Sequence, residues 1–147
     1  MIAVVIIGAI VAIIIARYTH AVNLGRVGAA ETQVSQIGAA LDAYRSDHGS
    51  YPSGSGWTSV VPALFGGTSN QYMNVTPTDA AGSGYDYYRP FPEEGGYAIC
   101  SRTTFNGGDL NHLRVYQDAG VPNPSVMAGP GAYKICYSPA SGVFAWW

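Results

Sequence analysis

The sequence predicts an α+β fold in which a long N-terminal helix protrudes with its first half and packs with its second half on a small antiparallel sheet. Three observations predict it. The first sixteen residues carry no charge, apolar residues between 27 and 44 recur every three or four positions, and short strand candidates between dense turns follow residue 48. The 147 residues suffice for one domain with a real core.

The charge content narrows the classes of function. Charged residues make up 11% of the chain, whereas a soluble domain typically has about 25%. Seven Lys and Arg against nine Asp and Glu give a formal net charge of -2. Because nucleic-acid binding requires a basic surface, we predict no nucleic-acid partner. The shortage of charge is concentrated at the N-terminus, which makes that segment the first to explain.

Residues 1–16 consist of seven Ile, three Val, four Ala, one Met and one Gly. Ten β-branched aliphatics favour residence in a bilayer by roughly 3 to 6 kcal/mol, and the helix would be about 24 Å long against a hydrocarbon core of ~30 Å. A cleaved secretory signal normally has a basic start and a small-residue cleavage site, and neither is present. A core helix that is apolar all round needs a larger protein. We therefore favour a helix that lies first in a membrane and then in a bundle of identical helices.

The second half of the helix has one apolar stripe. No proline occurs from residue 17 to 47, and polar residues lie off the stripe. His48 followed by Gly49 predicts the helix end, while Gly25 and Gly28 are points where the helix could bend. The residues that we expect to pack on the head are Val27, Val34, Ile37, Leu41 and Tyr44.

The composition changes at residue 49, and the segment from Gly49 onward contains all nine prolines and fifteen of the nineteen glycines. We therefore divide the chain into a long helix, 1–48, and a β-rich head, 49–147. Within the helix, 1–18 forms the membrane and filament-core half and 19–48 packs on the head. The strand candidates, which predict a sheet of three or four antiparallel strands, are Tyr97–Arg102, Leu113–Gln117, Tyr133–Tyr137 and Val143–Trp147.

The two cysteines, Cys100 and Cys136, lie in two of these strand candidates. In an exported chain such a pair predicts a disulfide. Closing a loop of this size stabilises a small domain by roughly 3–4 kcal/mol on the chain-entropy estimate. Two buried free thiols are the alternative. If the bond forms, it contributes a large share of the stability of a glycine-rich domain.

No motif predicts catalysis, a cofactor or a metal centre. His20, His48 and His112 have no carboxylate or cysteine at ligand spacing, and no hydrolase, metalloprotease or phosphate-binding motif occurs. Four acidic residues of the head admit a calcium site with loop carbonyls, although solvated turn charges are the simpler interpretation: Asp79, Asp86, Glu93 and Glu94. Asn74-Val75-Thr76 fits a glycosylation sequon, a weak signal.

Two segments carry a resemblance to a known family. Met1-Ile2, Val4 and Ile6-Ile7-Gly8 match the spacing of Met, aliphatic residues and Gly in one motif, and residues 40–52, from Ala-Leu-Asp-Ala-Tyr-Arg to Tyr-Pro, match a second. Together they resemble the type IV pilin superfamily, which comprises pilins and the pseudopilins of type II secretion. The family's mature segment begins about six residues earlier and carries a glutamate two residues before the position of Met1. We therefore expect that the front of the mature segment is missing here, and the alternative is a chain that lacks the usual assembly contact.

The resemblance implies a structural pilin rather than an enzyme. The precursor would be held in the cytoplasmic membrane, processed by a prepilin peptidase to a methylated N-terminus, and polymerised with itself by an assembly machinery into a cell-surface filament. The helix residues expected in the filament core are Ile2, Val5, Ile6, Gly8, Ala9, Ile10, Ala12 and Ile13.

Two features of the sequence bear on whether the chain is a pilin or a pseudopilin. Pilins carry a disulfide that closes a C-terminal loop, so the cysteines favour a pilin. The end of the helix favours a major pseudopilin, which is the first alternative. A monomeric membrane-tethered binding module is the second alternative, and a small secreted enzyme is the weakest.

Overall fold

The computed structural model describes residues 2–66, 72–91, 96–110, 112–116, 122–127 and 131–146. Within these residues, two helices and six strands follow one another, with a short 3-10 turn at Gly107–Leu110 between the second and third strands. The elements are α1 (Ile2–His48), α2 (Trp57–Phe65), β1 (Tyr85–Phe91), β2 (Gly96–Asn106), β3 (Arg114–Tyr116), β4 (Pro122–Met127), β5 (Ala132–Ser138) and β6 (Gly142–Trp146).

Helix α1 has 47 residues and is therefore about 70 Å long. It remains helical through Gly25 and Gly28, where the sequence allowed a bend. The helix ends where the sequence predicts. Gly49 adopts a φ of +76°, which is accessible to glycine at little cost, and its N–H donates to the carbonyl of Arg45 at 2.7 Å.

The six strands form one sheet in the order β1-β2-β5-β6-β3-β4. Four of the five pairings are antiparallel, and β3 pairs with β6 in parallel. The predicted α+β class, a long helix on a small sheet, is confirmed. The sheet is wider than predicted because β1 and β4 contain prolines, which argue against a strand at the level of sequence. Helix α2 has only nine residues and contains Pro62, which disfavours a helix at the level of sequence.

The main core lies between the sheet and the second half of α1. Its members from β2 and β5 include Tyr97, Ile99 and Ile135, and α2 contributes Trp57, Val60 and Leu64. A second cluster, formed by Ala98, Cys100, Cys136 and Phe144, uses the alternate residues of β2, β5 and β6. Because successive strand residues point to opposite faces, this second cluster lies on the sheet face turned away from α1.

Candidate assembly surfaces on the long helix

The first half of α1 exposes large apolar side chains. Among the residues whose side chains are described, the exposed fraction is 61% for Ile7, 46% for Val11, 57% for Ile15 and 69% for Tyr18. His20 of the helix contacts the head, because its Nδ1 lies 3.5 Å from Asp109 Oδ1. The helix thus presents an apolar surface that its own head leaves uncovered.

The structure describes few of the side chains that we expected in a filament core. Gly8 is exposed, and a Cβ on it would meet nothing within 4 Å. The side chains of the other expected residues lie outside the described part: Ile2, Val5, Ile6, Ala9, Ile10, Ala12 and Ile13. Within the described residues, no helix combines the length and the apolar character that crossing a membrane requires.

The second half of α1 buries its apolar stripe against the head. Val27 is 3% exposed, Val34, Ile37 and Leu41 are fully buried, and Tyr44 packs against the same core while half-buried. Ala30 completes the stripe at 1% exposure. The structure therefore brings together the five residues that the spacing singled out for contact with the head.

Tyrosine hydroxyls bond the head to the same helix. Tyr97 donates to the carbonyl of Gly38 at 3.0 Å, Tyr85 donates to Gln33 Oε1, and Tyr51 donates to Asp42 Oδ1 at 2.9 Å. Burial raises the pKa of Tyr97 and of Tyr85 far above that of a free phenol, so both remain protonated donors. Sequence reasoning missed these bonds, since no pattern in the chain shows which hydroxyl meets which acceptor.

The Tyr-Pro pair after the helix is held by β1. Tyr87 donates its hydroxyl to the carbonyl of Pro52 at 3.0 Å, and Arg89 donates to the carbonyls of Pro52 and Tyr51. Burial raises the pKa of Tyr87 to about 12. Tyr51 is itself buried, and its ring lies 4.6 Å from that of Tyr97. The motif thus turns the chain at the end of α1 and fastens it to the sheet.

The histidines are separate from one another. His112 Nε2 lies 2.6 Å from Glu31 Oε1, which ties the segment after the 3-10 turn to the helix. His48 stacks on Tyr44, with ring centroids 4.1 Å apart, and its Nδ1 lies 3.1 Å from the carbonyl of that residue. In the part of the chain that the structure describes, no group of three or more His, Cys, Asp or Glu is placed to hold a metal ion.

The two described residues of the calcium hypothesis accept bonds from the protein itself. Asp79 is 5% exposed, and its carboxylate accepts from the N–H groups of Ala81, Ser83 and Thr103 and from the Thr103 hydroxyl. Burial alone would raise the pKa of Asp79, but these bonds outweigh burial and lower it.

Asp86 has charged partners instead. Its carboxylate pairs with Arg102 at 2.9 Å and Lys134 at 2.8 Å. Burial opposes ionisation of Asp86, but the two cations lower its pKa overall. Glu93 and Glu94 lie outside the described residues. The described half of the hypothetical site is therefore a pair of structural carboxylates.

The cysteines and the sequon complete the predicted sites. Cys100 and Cys136 are directly opposite each other on β2 and β5 and form a disulfide that is fully buried. Asn74 is exposed in the loop between α2 and β1, beside Val75, which is 74% exposed. The bond joins two neighbouring strands, so it fixes their register as well as closing the loop between them.

Comparisons with known proteins agree with this geometry. No curated protein and no solved structure matches the chain. The model of a family described as type II secretion system (T2SS), protein G, matches residues 17–112, roughly two thirds of the chain. The match confirms the predicted membership in the pilin and pseudopilin superfamily and covers the head-packing half of α1, α2, β1 and β2. By its long helix, its head and this match, the chain belongs to the protein G family of the type II secretion system.

Proposed function

We propose that this protein is a pseudopilin, a structural subunit that polymerises into the filament of a type II secretion system. The family match over residues 17–112 carries the proposal, and it favours our pseudopilin alternative over the cell-surface pilin that we expected first. The exposed apolar half of α1 supplies the means of assembly.

Assembly exchanges one apolar environment for another. The first half of α1 lies in the cytoplasmic membrane before assembly and beside the helices of other copies afterwards, so its apolar surface does not face water. Leaving a side chain such as Ile7 or Ile15 in water instead would cost roughly 2 kcal/mol each. Contacts between unlike surfaces of identical subunits do not close on themselves, and they generate a helical fibre.

A charged residue in the apolar half tests the mechanism. Ile15→Asp replaces an apolar side chain, which is 57% exposed in the single subunit, with a charged carboxylate. We expect it to abolish filaments, seen by electron microscopy of the overproduced protein, and to leave the melting of the head unchanged. Ile15→Leu is the matched control and retains filaments. Filaments of normal number from Ile15→Asp would contradict assembly through this helix.

A cell-surface pilin is the second candidate. The Cys100–Cys136 disulfide resembles the disulfide that closes a C-terminal loop in pilins, and this feature favours a pilin over a major pseudopilin. Deletion of the gene separates the two functions. A pseudopilin predicts loss of protein export into the medium with surface fibres unaffected. Loss of surface fibres with normal export would instead assign the protein to a pilus. A tethered monomer predicts no fibre that contains this chain.

A further inference from the structure

Helix α1 carries a second row of residues at heptad spacing, on the side away from the sheet. From Val11 onward its steps of four and three residues alternate without a break through 43, whereas the head-packing stripe runs through Val27, Val34 and Leu41. The row, which we call the outer seam, consists of Val11, Ile15, Tyr18, Val22, Gly25, Ala29, Thr32, Gln36, Ala39 and Ala43. At 100° per residue each of these stripe residues is about 160° from the seam residue two positions before it and from the one two positions after it, so the two rows lie on opposite faces of the helix.

The outer seam is uncharged and exposed, and from Val22 onward it borders head residues 72–75 and 78–80 across open pockets. All of its members are exposed except Val22, which is half-buried. The charges of the helix lie outside it: Arg17, Arg26, Glu31, Asp42, Arg45 and Asp47. A helix face turned to water normally carries charged residues, so an uncharged row of this length indicates a surface that another helix covers.

Side-chain size divides the outer seam into two parts. Its N-terminal part has the large residues Val11, Ile15, Tyr18 and Val22. Its C-terminal part has five small residues and one longer polar residue, Gln36; the small ones are Gly25, Ala29, Thr32, Ala39 and Ala43. Small residues allow helix backbones to approach closely, and large residues fill the space that they leave. The large part of one helix is thus complementary to the small part of another helix, whereas two large parts or two small parts do not match each other.

We propose that the large part of the outer seam of one copy docks on the small part of the outer seam of a second copy, parallel to it and displaced by three heptads. The proposal rests on the proposed function, because a fibre generated by one screw operation keeps every helix pointing the same way. A displacement of 21 residues, about 31 Å along the helix, keeps the heptads in register. Ile15, Tyr18 and Val22 then lie opposite Gln36, Ala39 and Ala43.

Charge complementarity selects this displacement. Arg26 and Asp42 lie on opposite flanks of the outer seam, at the positions where ion pairs cross a parallel coiled coil. A shift of three heptads places Arg26 of one copy beside Asp42 of the next, whereas a shift of two places it beside the neutral Ser35. Arg26 is exposed, and none of the described residues forms an ion pair with it. Asp42 accepts the Tyr51 hydroxyl through Oδ1.

Cysteine pairs test the register in assembled filaments. The native cysteines form a buried disulfide, so mild oxidation addresses only introduced thiols. With Tyr18→Cys and Ala39→Cys in the same chain, three-heptad docking predicts a covalent ladder of dimers, trimers and higher multimers. The matched control, Tyr18→Cys with Thr32→Cys, reports a two-heptad shift, and we expect at least tenfold less multimer from it. Ile15→Cys with Gln36→Cys repeats the test at the same displacement in case the loss of Tyr18 weakens assembly.

The outcomes distinguish the two proposals. Filaments that form without a ladder from either three-heptad pair, or with equal ladders from the control, overturn this docking and leave the pseudopilin function intact. If a lipid-phase reagent labelled the thiol of the Tyr18→Cys variant in such filaments, lipid would cover the outer seam instead. Failure of the unmodified chain to form filaments overturns the proposed function itself.

Discussion

Gly38 lies where α1 comes closest to the sheet, and Gly38→Ala is therefore expected to destabilise the protein although alanine is the better helix former. An ideal Cβ at this position would lie 2.2 Å from Tyr137 Cε1, and it would also come within 3 Å of two more atoms of the same ring. The carbonyl of Gly38 accepts a hydrogen bond from the hydroxyl of Tyr97 on β2, the strand that pairs with β5, which carries Tyr137. The ring or the helix must move to admit one methyl group.

Two opposed effects set the magnitude. Alanine gains about 1 kcal/mol over glycine in a helix interior, and overpacking a close contact costs about 1–3 kcal/mol. We expect a net loss of about 1–2 kcal/mol in the free energy of unfolding. Gly28→Ala is the matched control, because a Cβ there meets nothing within 4 Å in the same helix, and it should gain up to about 1 kcal/mol.

Thermal unfolding of the full chain, followed by circular dichroism at fixed detergent, measures the difference. For a chain of this length 1 kcal/mol corresponds to about 2–4 °C in Tm, so the two variants should differ by several degrees in opposite directions from the parent. In a Tyr137→Ala background, Gly38→Ala should no longer destabilise. Equal melting of the Gly38 and Gly28 variants would refute the close approach of α1 and β5.

Two further predictions concern the head. Replacing both Cys100 and Cys136 by Ser removes a cross-link between residues 36 positions apart. The free energy of unfolding, measured in urea, should fall by about 3–4 kcal/mol. An unfolding free energy equal to that of the oxidised parent would exclude a stabilising bond. Asp79→Asn should cost about 2 kcal/mol at pH 7, because an amide cannot accept all the bonds of the carboxylate. Since the folded-state pKa of Asp79 is lowered, its contribution is complete above about pH 4 and is lost as the pH falls through that pKa, so the difference between parent and variant should shrink in acid. A difference that did not shrink as the pH was lowered would contradict an ionised Asp79 as its source.

The long helix was predictable from local pattern. The uncharged residues 1–16, the recurrence of Val27, Val34, Ile37 and Leu41, and the His48-Gly49 end are properties of neighbouring residues, and α1 follows them. Four of the six strands were predicted near their observed positions because their apolar residues have few breaks. β1 and β4 were not predicted. A strand tolerates proline only at certain positions of a sheet, such as an edge, and the sequence alone does not show which strands occupy them.

The sites divide in the same way. The Tyr51-Pro52 motif was recognisable in the sequence. Its attachment to the sheet through Tyr87 and Arg89 was not, because the hydrogen bonds join residues more than thirty positions apart. The calcium hypothesis counted acidic residues without knowing their partners, whereas the structure assigns Asp79 to backbone donors and Asp86 to two cations. The partners of a carboxylate depend on which segments the fold brings together.

By itself, the sequence determined the fold class, the uncharged protruding helix, the stripe that packs on the head and the superfamily. All of these depend on periodicity and composition within one helix or on short motifs. Only the tertiary structure decided the parallel pairing of β3 with β6, the register that places Cys100 opposite Cys136, and the bonding of each tyrosine to the helix. Those features depend on contacts between distant segments, and such contacts are fixed by packing and hydrogen-bond geometry rather than by local preference.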